Sequence, residues 1–299
     1  MKDGGKEVKK ENIFIKLWKV IYPVGIYFLI TNVVTFVFMA VAAFLMGIKM
    51  VNSGEVVSNV RMQEKVITLF YRNSMMLTAL SAAITIPIIY ILFKKDRTKE
   101  NVQYEKGSVG LYGFIFIAAA SACLGCNQLL SITKLDEIFP GFLKVQEVLY
   151  GGNIVMEILA AVILAPIIEE LLFRGMVFKR LYVYVGKMPA MLLSSLFFGI
   201  YHGNVLQGIY AFSVGLLFVF IYDKYKTLLA PILAHMFANL VSILSVETGI
   251  FDFLYVNNLN IYLSTVIEII ICIVMVIVIQ TKVFRTEKAK EEKEIESFQ

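Results

Sequence analysis

Residues 154–178 read IVMEILAAVILAPIIEELLFRGMVF. Fourteen of them are Leu, Ile, Val or Phe, yet Glu169, Glu170 and Arg174 stand in the same run. About 20 apolar residues cross the ~30 Å hydrocarbon layer of a bilayer as one helix. A charge at the centre of such a helix costs on the order of 2.5–3.5 kcal/mol, so three facing lipid would cost roughly 8–10 kcal/mol. The apolar residues return about 0.3–0.6 kcal/mol each, and the two sums nearly cancel. The segment is therefore a membrane span whose charges face protein or trapped water. Glu170 and Arg174 lie four apart, share a helix face and can pair, which could simply lock helix packing. Glu169 points about 100° away from Glu170 and has no local partner. Pro166 either kinks the helix or starts a new one, and either event frees backbone groups near the carboxylates.

The rest of the chain is of the same kind. It has 299 residues, 59% hydrophobic and 17% charged, against roughly half and a quarter in a soluble domain. The apolar residues fall in blocks, and eight spans are expected. Their cores are Pro23–Gly47, Met75–Phe93, Val109–Leu130, Ile154–Phe178, Met188–His202, Gln207–Tyr222, Leu228–Ser245 and Ile261–Thr281. The expected fold is an all-α polytopic transmembrane bundle of about eight helices, with its site buried within the membrane. Residues 1–22 form a basic segment that can lie at the interface, 23–281 the transmembrane domain, and 282–299 a mixed-charge tail, solvated or disordered. The N-terminal apolar run is too long for a signal peptide and is expected to be retained as the first span. "HGNVLQG", residues 202–208, joins the fifth and sixth spans and has the Gly and Asn of a tight turn. No linker or internal repeat is evident.

The net charge of +5 reads as topology, and no nucleic-acid partner is implied. Lys and Arg concentrate on the cytoplasmic side of short loops. Lys2, Lys6, Lys9 and Lys10 precede the first span, and Lys282 and Arg285 follow the last. Lys94, Lys95, Arg97, Lys99 and Lys106 fill the second loop, Lys179, Arg180 and Lys187 the fourth, Lys224 and Lys226 the sixth. The third loop sets Lys134 and Lys144 against Asp136, Glu137 and Glu147. The fifth is uncharged, and the seventh has Glu247 and Asp252 with no base. Only the first loop is ambiguous. An even span count with both termini cytoplasmic satisfies this alternation.

Cys123 and Cys126, in "AAASACLGCNQLL" (residues 118–130), read as part of a small-residue packing helix; a redox or metal pair is the weaker reading. Cys272 reads as core- or lipid-facing. Glu157 and Glu268 read as structural, near span ends where a long side chain reaches the interface. His202 and His235 are the two histidines of the chain, and both lie in apolar spans. Either alone would read as a hydrogen-bonded core residue; together, with no others, they read as a site. At ~1.5 Å per residue, Glu169 lies ~16 Å from Arg180, His202 ~21 Å from Met188, His235 ~12 Å from Thr227, and Asn239 ~18 Å from Thr227. Four polar groups from three helices thus share one depth.

Glu169-Glu170-x-x-x-Arg174, Phe198-x-x-x-His202 and His235-x-x-x-Asn239, in that order on separate spans, resemble the motif set of the CAAX protease and bacteriocin-processing family (CPBP, or Abi, membrane proteases), which includes the type II CAAX prenyl endopeptidases. The motifs cover Ala165–Leu240. The resemblance implies a core of eight transmembrane helices and hydrolysis of peptide bonds within the membrane. It implies that Glu169 activates water as general base, that His202 positions it, that His235 and Asn239 hold the oxyanion, and that Glu170 and Arg174 brace the site. Phe198, one turn before His202, would wall the pocket, as packing more than as chemistry. The family is described both as metalloprotease and as glutamate-dependent without metal.

Glu169, His202 and His235 could form a His-His-Glu zinc set. The chain lacks H-E-x-x-H, and Asn239 one turn after His235 suits an oxyanion donor better than a ligand, so no cofactor is favoured and Zn2+ is the alternative. Intramembrane charges also mark transporters, so a proton-coupled transporter is a competing reading, as is a non-enzymatic immunity or partner-binding protein. The expected partners are the bilayer and a membrane-associated protein or peptide precursor. The Ile- and Lys-rich composition points to a bacterial plasma membrane, where a leader peptide, pheromone precursor or bacteriocin is the expected substrate.

Overall fold

Each apolar run becomes a helix because a chain in hydrocarbon must satisfy its own backbone polar groups. The computed structural model describes residues 12–52, 59–100, 111–139, 141–142, 145–146, 150 and 152–297, and no strand occurs among them. The helices are α1 (Ile13–Asn52), α2 (Asn59–Arg72), α3 (Ser74–Glu100), α4 (Tyr112–Thr133), α5 (154–185), α6 (Lys187–Tyr201), α7 (Val205–Tyr225), α8 (Leu229–Thr248) and α9 (Asn258–Ser297). Short helical turns at Leu135–Ile138 and Asp252–Tyr255 lie between them.

α1, α3, α4, α7, α8 and α9 are long and apolar enough to cross a membrane. The other two expected spans take less regular forms. α6 has only 15 residues. α5 is a composite: an α-helical start, π-helical turns at Ile158–Leu164, an α segment at Ala165–Leu172, π turns again at Phe173–Phe178, and α to Val185. α2 is a separate polar-apolar helix that the eight-span reading did not contain.

At the N-terminus, residues 1–11 lie outside the described residues, and from Ile13 the chain is already one helix with the first span. At the other end the backbone stays helical to Ser297, so the mixed-charge tail continues α9. Asn153 starts α5 by accepting from Val155 N and Met156 N. Gly203 (φ 68°) makes the turn between α6 and α7, and Asn204 caps α7 by accepting from Leu206 N and Gln207 N at 3.1 Å each.

α1 and α9 bear large exposed apolar side chains along their length, Phe28, Phe36 and Phe44 on one, Leu263, Ile270 and Ile273 on the other. In water such faces would be costly; against lipid they are at home. Among the described residues two large apolar clusters, and a small third one around Met75, Ala79 and Ala160, fill the interior. One gathers Phe173, Met176, Phe198, Ala211 and Tyr222 with Val20, Tyr27, Ala82 and Ile89. The other joins α4, α7, α8 and α9 through Ile115, Ala118, Cys123, Phe218, Ala234 and Ile279. The C-x-x-C helix packs as its small residues require: a Cβ added at Gly125 would meet Glu268 Cβ at 3.3 Å, and the three cysteines are unpaired.

Candidate active site

Pro166 organises the site through a bond it cannot make. In the π-helical turns, Ala165 N–H reaches back five residues to Ala160 O. The next donor in that register would be Pro166, which has no N–H, so Ala161 O is left over. Asn239 of α8 donates to it through Nδ2 at 2.8 Å. A proline in one span thus sets the amide of another.

The α segment that follows carries the acidic pair. Glu170 is fully buried, and its Oε1 lies 2.9 Å from Arg174 Nη1. The same oxygen is 3.0 Å from His235 Nδ1. Arg174, 1% exposed, also donates from Nη2 to Gly215 O of α7 at 2.8 Å. Its guanidinium lies 4.7 Å from the Phe198 ring centre and 5.5 Å from that of Phe218. It therefore sits where the two large apolar clusters meet, with a carboxylate, a carbonyl and two aromatic faces replacing water. Gly215 makes the room, since a Cβ there would come within 3.0 Å of Phe198 and 3.3 Å of Arg174 Nη2.

Glu169 faces the other way and lines a cavity of about 580 Å³ with Phe198, His202, Phe218, His235 and Asn239. Its Oε2 is 3.8 Å from His235 Nε2. His235 thus lies between two carboxylates, bonded to Glu170 and within 3.8 Å of Glu169, and stacks on Phe218 with ring centres 4.8 Å apart. His202 Nδ1 lies 2.8 Å from Phe198 O. A carbonyl can only accept, so Nδ1 carries the proton of that bond and Nε2 is the ring nitrogen it leaves unengaged. Phe198 is 1% exposed and packs edge-on against both histidines.

All six residues expected at the site, with Phe198, are therefore brought together. Glu169, which lacked a partner in sequence, finds His235. Glu157, in the first turn of α5, is fully buried, its Oε1 accepting from Gly152 N at 3.0 Å just before the helix begins. The residues that sequence reasoning missed are Gly215, Phe218 and the carbonyl of Ala161. Gly208, Ala211 and Gly215 recur at helical spacing on α7, a small-residue stripe that signals close helix packing. Across it, a Cβ at Gly199 of α6 would meet Gly208 O at 2.6 Å. Nothing comparable marks Ala161.

The proposed zinc ligands do not suit zinc in this arrangement. Zinc needs donor atoms at about 2.0–2.2 Å on several sides. Among the described residues no three His, Cys, Asp or Glu side chains converge closely enough to hold a metal ion. His235 instead gives one nitrogen to Glu170.

Fold and site together define a polytopic membrane protein with a carboxylate–imidazole centre buried among its helices. Residues 151–241 match the family model described as type II CAAX prenyl endopeptidase Rce1-like. Over 82 residues the chain is 35% identical to "Putative membrane peptidase YdiL" of Bacillus subtilis (strain 168). That match covers 27% of this chain and 34% of the relative, so only about a third of the relative's length is spanned. No solved structure matches the chain.

Proposed function

We propose that this protein is an intramembrane endopeptidase that hydrolyses a membrane-associated peptide or protein precursor with water activated by Glu169. The observation that carries this reading is the shared ring of His235, 3.8 Å from Glu169 Oε2 through Nε2 and 3.0 Å from Glu170 Oε1 through Nδ1. A separation of 3.8 Å is too long for a direct hydrogen bond and suits a water or substrate oxygen held by both groups.

In the proposed reaction Glu169 takes a proton from water as the water oxygen bonds to the scissile carbonyl carbon. His202 Nε2 accepts a hydrogen bond from the second water O–H, whose hydrogen stays on the oxygen, and so orients the attack. The carbonyl π electrons move onto oxygen. That oxyanion receives hydrogen bonds from the Asn239 N–H not engaged by Ala161 and from His235, as the imidazolium, through Nε2–H. Glu170, itself held by Arg174, accepts from His235 Nδ1 and fixes the ring. When the carbonyl re-forms, the C–N bond breaks, and the proton on Glu169 passes to the leaving nitrogen. Water has then been divided between a new carboxyl and a new amine, with no cofactor required.

The cellular setting proposed is a bacterial plasma membrane with both termini cytoplasmic, and the substrate a leader-bearing precursor such as a pheromone or bacteriocin. Comparative peptidomics of cells carrying wild type or Glu169→Gln tests this. Specific fragments present with wild type and lost in the variant, at equal protein levels, are expected. Identical peptide pools would refute it and favour a binding or transport role.

A further inference from the structure

The cavity lies toward one end of the bundle, and it is not the basic end. Beyond Glu169 and the histidines it is lined by Met75 and Thr78 at the start of α3, Ser131 at the end of α4, Gln207 at the start of α7, and Ser245 and Val246 at the end of α8. Asp252 and Tyr255, between α8 and α9, complete it. These positions lie in or beside the first, third, fifth and seventh loops between the eight expected spans. Among the described lining residues none is Lys or Arg, and Asp252 is an acid.

The opposite end is closed by charge pairs that tie helices together. Arg180 of α5 contacts Asp96 of α3 at 2.6 Å and 3.0 Å, donates to Tyr22 Oη of α1 at 2.9 Å and to Lys19 O. Asp223 of α7, 7% exposed, lies 2.5 Å from Lys187 of α6 and 3.2 Å from Lys226. Between this face and Glu169, Leu172, Phe173, Met176 and Phe178 are all buried. This plugged end is also the end of Lys94, Lys95, Arg97, Lys179, Arg180 and Lys187, the one that basic loops mark as cytoplasmic.

We propose that the site takes its peptide from the extracytoplasmic face. This rests on the hydrolase reading and narrows its substrate class. The peptide is a segment that has been translocated or inserted so that its scissile bond reaches the outer half of the membrane. A C-terminal tail presented from the cytoplasm meets the closed end. The mouth, with an acidic residue and without a described cation, suits a neutral or basic segment better than a free terminal carboxylate.

The test uses the full-length protein in the membrane of a bacterial host, with Ser131→Cys and Ser245→Cys at the mouth and Lys95→Cys at the basic end. Wild type is labelled in parallel to account for the native thiols. A charged, membrane-impermeant thiol reagent is applied to intact cells and to inside-out vesicles. The mouth cysteines should react in intact cells, and Lys95→Cys only in inside-out vesicles. The reverse pattern, or mouth cysteines reached only from the cytoplasmic side, overturns the proposal. Two mouth positions guard against one variant failing to fold. The readout needs no activity, so reversed labelling defeats the proposal alone, whereas unchanged cleavage by Glu169→Gln defeats the hydrolase reading and leaves the labelling standing.

Discussion

Glu169 and Glu170 are neighbours in the chain with different surroundings. Glu170 is fully buried between Arg174 and His235, whereas Glu169 opens onto the cavity. Removing Arg174 would leave a buried carboxylate without its cation, a loss of about 3–5 kcal/mol where such pairs are broken. Arg174→Ala should therefore markedly lower the thermal unfolding midpoint in detergent, whatever it does to activity. Asn239→Ala should do the converse. It removes a proposed oxyanion donor, worth on the order of 10²–10³ in rate, and cleavage assays should show that loss in a protein that still folds. The Glu170–Arg174 pair was legible because both ends lie on one helix, and four residues fix their relation. The two contacts of His235 were not legible, because they depend on how α8 sits against α5, which no local spacing specifies.

At the scale of elements, α5 departs most from regularity and carries the acidic pair. Its π turns flank Ala165–Leu172, an arrangement that recurs at functional sites because it re-aims side chains without ending the helix. Pro166 was visible in sequence as a source of freed backbone. Which carbonyl it frees depends on the five-residue register of the π turn, a segment that packs against both α3 and α8. Pro166→Ala should supply Ala161 O with a backbone donor and release Asn239. With a bond of ~1 kcal/mol no longer orienting the amide, hydrolysis should fall on the order of fivefold to tenfold while the unfolding midpoint holds or rises. An unchanged rate would show that the Ala161–Asn239 bond does not position the amide. On α7, Gly215→Ala pushes a methyl into Phe198 and Arg174; overpacking of this kind costs about 1–3 kcal/mol, visible as a lower unfolding midpoint.

For the whole molecule, the sequence located the eight apolar segments because hydrocarbon thickness sets a length that can be counted. It did not reveal α2, nor that the last helix continues through the charged tail, because neither depends on spanning. The shared depth of Glu169, His202, His235 and Asn239 anticipated one cavity; the end toward which that cavity lies needed the packed bundle. The zinc alternative makes a separate demand. If Glu169 acts on water directly, treating the purified protein with a strong chelator should leave its peptidase rate unchanged, and a loss restored by zinc would contradict that mechanism. The most direct test of the central claim is the cleavage rate in liposomes of purified wild type, Glu169→Gln and Glu268→Gln, each shown to be folded by its unfolding midpoint. The expected result is cleavage by wild type and Glu268→Gln, with a loss of at least about 10²–10⁴ in Glu169→Gln. A Glu169→Gln protein that cleaves as fast as wild type would contradict the account.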